Sequence, residues 1–244
     1  FCILLCKSYF LMKFPKILLF LFLLQIHDAQ LDAYLDYKSP FHPTISENGM
    51  VVSQNLESSK IGTMILESGG NAVDAAVAVG FSLTTTLPRA GNIGGGGFML
   101  VYIKETEELF SIDYRSRSSL NSNLEDLFGS KSPAQIQDDD YDLTKYDYKA
   151  SAVPGTVYGL LEAHERFGDL PLEKVLQPVI DQARNGIIVS YDLHNAIGSS
   201  YQLKEDPESR KIYFENNKPV AIGSLMKRPD LAKTFEAISK EGKD

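Results

Sequence analysis

The stretch from Gly69 to Leu100 constrains the fold more than any other part of the 244-residue chain. It reads GGNAVDAAVAVGFSLTTTLPRAGNIGGGGFML. Its first half predicts a helix of unusually small residues. Ala72, Ala75, Ala76 and Val79 recur at helical spacing, so one face carries little more than methyl groups. Such a face admits a second backbone closely. Asn71 is placed to cap this helix, and Gly69-Gly70 to end the one before it. Pro88 stops the pattern. After Gly91 and the run Gly94-Gly95-Gly96-Gly97, residues Phe98 to Ile103 read as a buried strand.

Four consecutive glycines lose more backbone entropy on ordering than other residues would, so they need a reason. A phosphate loop needs Gly-Lys-Ser/Thr to follow, and Phe98 stands there instead. A dinucleotide fingerprint needs a last glycine where Met99 stands, and it runs strand, loop, helix. Here the helix comes first. A tight turn packed against a core strand remains on spacing alone.

Hydrophobic residues make up 43% of the chain and charged residues 23%, a globular balance. The net charge of −8 argues against a nucleic-acid partner. Cys2 and Cys6 are the two cysteines, both near the N-terminus, so the rest has no disulfide and no cysteine metal site. The N-terminal stretch reads as a leader that begins at Met12. Lys13 and Lys16 precede the apolar run Ile17 to Leu24, the pattern of a secretory signal peptide with cleavage near Ala29. Residues 1–29 are therefore assigned to the leader, and the expected location is secreted or periplasmic. A membrane anchor is the alternative, although the run is short for a span. Residues 30–48 read as an extended lead-in and 49–244 as the folded domain.

Within that domain, Met50 to Val52 is a short strand candidate. Ser53 is placed to cap a helix from about Leu56, whose buried side is Ile61, Met64, Ile65 and Leu66. Phe98 to Arg115 reads as a β-hairpin with a charged tip at Glu105 to Glu108. In its second strand Phe110, Ile112 and Tyr114 point one way, and Ser111, Asp113 and Arg115 the other. On pattern alone Arg115 serves a surface pair with Asp113, or it grips a carboxylate with its planar fork. Asp138-Asp139-Asp140 and Asp142 resemble a calcium loop only superficially. The required sixth and twelfth positions hold Leu143 and Lys149, so this is a solvated acidic loop, and no metal is expected. Helices are expected from about Gly155, from Leu172 to Asn185 before Gly186, from near Tyr191, and from Leu231 to Ser239. His164 falls on the exposed side near the end of its helix. Helices after a hairpin indicate an α+β or layered α/β arrangement rather than a Rossmann repeat.

The motifs GGNAVDAAVAVGFSL, PRAGNIGGGGFML, SIDYRSRS and ASAVPGTVYGLLEAHERFG stand in this order. Together they resemble the large-subunit side of the γ-glutamyltranspeptidases, also called glutathione hydrolases. The resemblance runs from about Gly49 to the end, and related cephalosporin acylases share part of it. It implies an α+β fold, part of the αββα sandwich of the N-terminal-nucleophile hydrolases. It also implies that Arg115, in Asp113-Tyr114-Arg115, grips the α-carboxylate of a γ-glutamyl substrate. Asp113 and Gly94, Gly95, Gly96 and Gly97 would be structural support. Arg117 has no such warrant. Ser116 and Ser118 replace a glutamate and a small apolar residue found in many relatives.

The resemblance further implies autocatalytic maturation of a zymogen. The N-terminal threonine of a small subunit would attack the γ-glutamyl carbonyl, activated by a base such as its own amine. An oxyanion hole would stabilise the intermediate. Neither Thr84-Thr85-Thr86 nor Thr156 fits that role, so the nucleophile is expected beyond Asp244 and the chain alone is expected to be inactive. The implied partners are glutathione and γ-glutamyl peptides, amino-acid or dipeptide acceptors, and the small subunit of the same precursor. No cofactor is implied. Without the second half of the sandwich, apolar faces should be exposed. A non-catalytic secreted binding protein on the same scaffold is the alternative of a different class.

Overall fold

The computed structural model describes residues 45–137 and 148–243. The expected leader and most of the lead-in lie outside the described residues, as does the acidic run from Asp138 to Asp142. From Gly49 onward the chain forms one compact unit. Among the described residues no helix is long and apolar enough to cross a membrane.

The first helix, α1, is Leu56–Glu67. Its cap is Asn55 rather than Ser53. Asn55 Oδ1 accepts the N–H groups of Glu57 and Ser58 at 2.9 and 3.2 Å, while Ser53 Oγ donates to Asn55 O. The buried side is Ser58, Ile61, Gly62 and Ile65, and the expected Met64 is turned to solvent. Met50 to Val52 enters no strand ladder.

The small-residue helix, α2, is Ala72–Thr86. Asn71 caps it as expected, in a capping box completed by Asp74. Burial does not follow one narrow face. Val73 through Ala75, Val77 through Val79, Phe81, Ser82 and Thr84 through Thr86 are all buried, whereas Ala72 and Ala76 are exposed. A helix that is apolar nearly all round belongs in the centre of a layer. Four polar side chains in and beside that layer satisfy one another. Ser82 Oγ lies 2.8 Å from both Ser58 Oγ and Gln182 Oε1, and Ser58 Oγ lies 2.8 Å from Thr86 Oγ1.

Strands β1 (Phe98–Ile103) and β2 (Glu108–Asp113) form an antiparallel hairpin, with Phe98 opposite Asp113 and Ile103 opposite Glu108. Its inner face, with Val101 and Ile112 buried, joins the main core. Its outer face is also apolar. Phe98, Leu100, Tyr102 and Leu109 are 61–71% exposed. A hairpin of two strands apolar on both faces is what half of a two-sheet sandwich looks like.

A short helix, α3 (Leu124–Phe128), precedes α4 (Thr156–Phe167) and α5 (Leu172–Asn185). Helix α5 ends at Gly186, whose φ is 101°, as expected for a glycine stop. The next strand, β3, is only Ile187–Ile188. Helices α6 (Tyr191–Ser199), α7 (Tyr201–Glu205) and α8 (Pro207–Tyr213) follow, then β4 (Phe214–Glu215), β5 (Lys218–Pro219), β6 (Leu225–Met226) and α9 (Pro229–Glu241). Helices α2, α4, α5 and α9 share one core with the hairpin, where Phe81 meets Phe235 edge-on at 5.8 Å. Residues from Ile187 to Met226 close a second, smaller core around Val189, Ile197 and Val220. The architecture is α+β.

Candidate functional site

The segment from Asp113 to Arg117 is where the hairpin leaves the sheet. Tyr114 still pairs with Gly97: its N–H donates to Gly97 O at 3.1 Å, and Gly97 N–H returns to Tyr114 O at 3.3 Å. Three residues later Arg117 exchanges backbone bonds with Val153, at 3.1 and 2.7 Å. The segment is thus held by the glycine run on one side and by the approach to α4 on the other. Gly95 O ties those two together, accepting the N–H groups of Gly155 and Thr156 at 2.8 and 3.1 Å.

The glycine run works by leaving room. None of Gly94 through Gly97 has the positive φ that favours glycine. A side chain on Gly96 would instead strike Ser116 N at 2.3 Å, and one on Gly97 would strike the Tyr114 ring at 2.8 Å. Across the segment, Gly155 would strike Tyr114 O and Gly159 would strike Tyr114 Cγ, each at 2.0 Å. Gly94 and Gly95 face only Asn92, at 3.3 and 3.4 Å. The tight-turn reading therefore describes the run incompletely: Gly96 and Gly97 form half of a socket, and Gly155 and Gly159 form the other half.

Arg115 and Asp113 are exposed, as the alternation predicted. They do not form an ion pair. Asp113 Oδ1 instead accepts the backbone N–H of Arg115 at 3.0 Å. Among the described residues no salt bridge or hydrogen bond engages the Arg115 guanidinium, so its fork is free to meet a ligand. Tyr114 turns inward and is half-buried, and burial pushes its phenol up from the ordinary value. A cavity of about 180 Å³ lies beside it, lined by Gly91, Asn92, Gly96, Tyr114, Thr156 and Leu160. No charged side chain lines it. The larger groove runs along β1 and the start of α2 and does not reach Arg115.

Two residues that sequence reasoning missed or misplaced stand at the other end of α2. Asp74 is fully buried, and its Oδ2 accepts the N–H groups of Asn71, Asp169 and Leu170 at 2.9, 3.1 and 3.2 Å. His164 is not an exposed helix residue. Its Nε2 lies 2.8 Å from Leu170 O and 3.7 Å from Asp74 Oδ1, with the side chain only 14% exposed. This pair locks the turn between α4 and α5 onto the start of α2. The capping pattern Asn71-x-x-Asp74 was the signal for Asp74. The threonines weighed as nucleophiles are all buried: Thr84, Thr85 and Thr86 inside α2, and Thr156 at the start of α4. Among the described residues no group of three His, Cys, Asp or Glu side chains comes together as a metal site.

The chain is a layered α+β unit in which glycines on two elements hold Tyr114 at the exit of the hairpin, with Arg115 exposed beside it. The family model described as Gamma-glutamyltranspeptidase matches residues 58–244. The chain belongs to the gamma-glutamyltranspeptidase family. It is 37% identical over 206 residues to the glutathione hydrolase proenzyme of Escherichia coli strain K12, covering 84% of this chain and 34% of that protein. The crystal structure of Helicobacter pylori gamma-glutamyltranspeptidase superposes with a TM-score of 0.72 at 31% identity, covering 82% of this chain and 56% of that one. An acylase ACY 1 proenzyme of Pseudomonas sp. strain SE83 is 32% identical over 215 residues, covering 86% of this chain and 38% of that protein. The chain spans about a third of the length of these curated relatives. The fold expected from the motifs, a partial αββα sandwich, agrees with the likeness to solved γ-glutamyltranspeptidases.

Proposed function

We propose that this chain is the carboxylate-gripping part of a glutathione hydrolase, an enzyme that cleaves the γ-glutamyl bond and passes the γ-glutamyl group to water or an amine. The observation that carries this is the state of Arg115. Its backbone is tied down by Asp113 while its guanidinium stays exposed and unengaged among the described residues. An unpaired planar fork on an anchored backbone matches the two oxygens of an α-carboxylate. Family membership supports the substrate class.

The chemistry needs a nucleophile, and the threonines weighed for that role, Thr84, Thr85, Thr86 and Thr156, are all buried. In the proposed reaction a threonine hydroxyl from a small subunit of the same precursor attacks the γ-carbonyl. The new C–O bond forms as the C–N bond breaks, and the hydroxyl proton passes through the base to the leaving amine. Water or an acceptor amine then repeats the transfer in reverse. Arg115 does no bond chemistry here. It sets where the γ-carbonyl stands, which is the positioning share of catalysis. Export through the leader would place the enzyme outside the cytoplasm.

The acylase relative favours a second reading, cleavage of a β-lactam side-chain amide on the same scaffold. The two separate on substrate. The full-length precursor containing this chain should, after self-cleavage, release the anilide from a γ-glutamyl anilide and glutamate from glutathione. Activity on a cephalosporin side chain with none on γ-glutamyl compounds would reverse the assignment. The 244-residue chain by itself should be inactive on both.

A further inference from the structure

We propose that Tyr114 is the positioning residue for Arg115: its ring, seated in the glycine socket, sets where the guanidinium stands and so governs discrimination for an α-carboxylate. This rests on the carboxylate-gripping reading of Arg115. Among the described residues no bond holds the Arg115 side chain itself, so its place is set by the backbone that carries it. Backbone pairs with Gly97 and Val153 hold that backbone on either side of Arg115, and two neighbouring side chains add to them. Asp113 is exposed and contributes one hydrogen bond. Tyr114 is the one of the three that turns inward, and glycines on two separate elements are cut to its outline.

The closeness of fit is what argues for function beyond packing. Gly97 and Gly159 approach the ring, while Gly96 and Gly155 approach the backbone at Tyr114 to Ser116, and any of the four would collide if it carried a methyl group. An ordinary core aromatic is surrounded by side chains that can shift. Against this one, Gly97 and Gly159 bring backbone to two sides of the ring, and a small cavity lies along another. Those two backbone contacts set the place of the ring, and the residue next to it is placed with it. The hydroxyl is not the operative part. Among the described residues no hydrogen bond engages it, so the shape of the ring does the positioning.

The test compares two substrates on the full-length, self-processed enzyme: a γ-glutamyl anilide and the 4-aminobutanoyl anilide, which lacks only the α-carboxylate. The readout is the ratio of their kcat/KM values. Tyr114→Leu should lower the ratio by about tenfold to a hundredfold through loss of rate on the γ-glutamyl substrate alone. Tyr114→Phe should leave it unchanged. Gly97→Ala, a milder intrusion on the ring edge, should lower it in the same sense and serves if the Leu variant fails to fold. An unchanged ratio in Tyr114→Leu or Gly97→Ala, or an equal loss on both substrates, would overturn the proposal. Arg115→Gln separates the two claims. If it collapses the ratio while the Tyr114 and Gly97 variants keep it, only the positioning role fails. If it leaves the ratio untouched, the carboxylate grip itself fails, and the positioning role with it.

Discussion

Gly159 and Tyr114 share a space that has no room for one more methyl group: a Cβ on Gly159 would stand 2.0 Å from Cγ of the tyrosine ring. Gly159 lies in the second turn of α4, where alanine normally stabilises a helix by about 1 kcal/mol over glycine. Here the collision should win. Gly159→Ala is expected to destabilise the protein by about 2 kcal/mol, the middle of the range for overpacked sites. Urea unfolding of the full-length protein checks it, and a stabilised variant would mean that the ring has somewhere to go.

Asp74 should be the most sensitive carboxylate in the described structure. Three backbone N–H groups converge on its Oδ2, and none of them has another acceptor if the side chain is cut back. Asp74→Ala is expected to lower stability by about 3 kcal/mol, the range for orphaned buried donors. A loss below 1 kcal/mol by denaturant titration would show that water replaces the carboxylate there.

The pH dependence of stability carries a signature of Tyr114. Burial raises its phenol above the ordinary value of 10.0, so the unfolded chain ionises first as pH rises. Its contribution is complete below pH 10 and is lost progressively above it. Tyr114→Phe should therefore lose less stability than the parent between neutral pH and the alkaline limit. Parallel alkaline melting curves for the two proteins would contradict the burial.

The outer face of the hairpin predicts behaviour of the isolated chain. Phe98, Leu100, Tyr102 and Leu109 form an exposed apolar patch, so the 244-residue protein should bind a hydrophobic dye and associate. Leu100→Ser and Tyr102→Ser should reduce both effects while changing stability by less than about 0.5 kcal/mol, as for surface positions. Dye fluorescence and light scattering measure this directly.

What was legible in the sequence was local. Asn71 announced the start of α2, Gly186 the end of α5, and the alternation from Phe110 to Arg115 placed the arginine outward. What was not legible depends on partners far along the chain. Asp74 drew no notice because Asp169 and Leu170, which bind it, lie about a hundred positions away. His164 looked exposed because the turn carrying Leu170 folds back over it and the start of α2 brings Asp74 alongside, neither of which helical spacing shows. The glycine run looked like a turn because its neighbours, Tyr114 and α4, come from other segments. Small residues tell where close approach is possible, but not what approaches. Asn55 displaced Ser53 as a cap because both are good caps two residues apart, and local pattern does not choose between them.

The most direct test of the central claim is the KM for a γ-glutamyl anilide in the self-processed full-length enzyme with Arg115→Gln. Loss of a charge-assisted pair to the α-carboxylate should raise KM by about tenfold to a hundredfold, the scale of a charged hydrogen bond. Self-cleavage and folding should persist, because Arg115 is exposed and no bond engages its side chain among the described residues. A folded, processed variant with unchanged KM would contradict the account and leave the carboxylate to be held elsewhere.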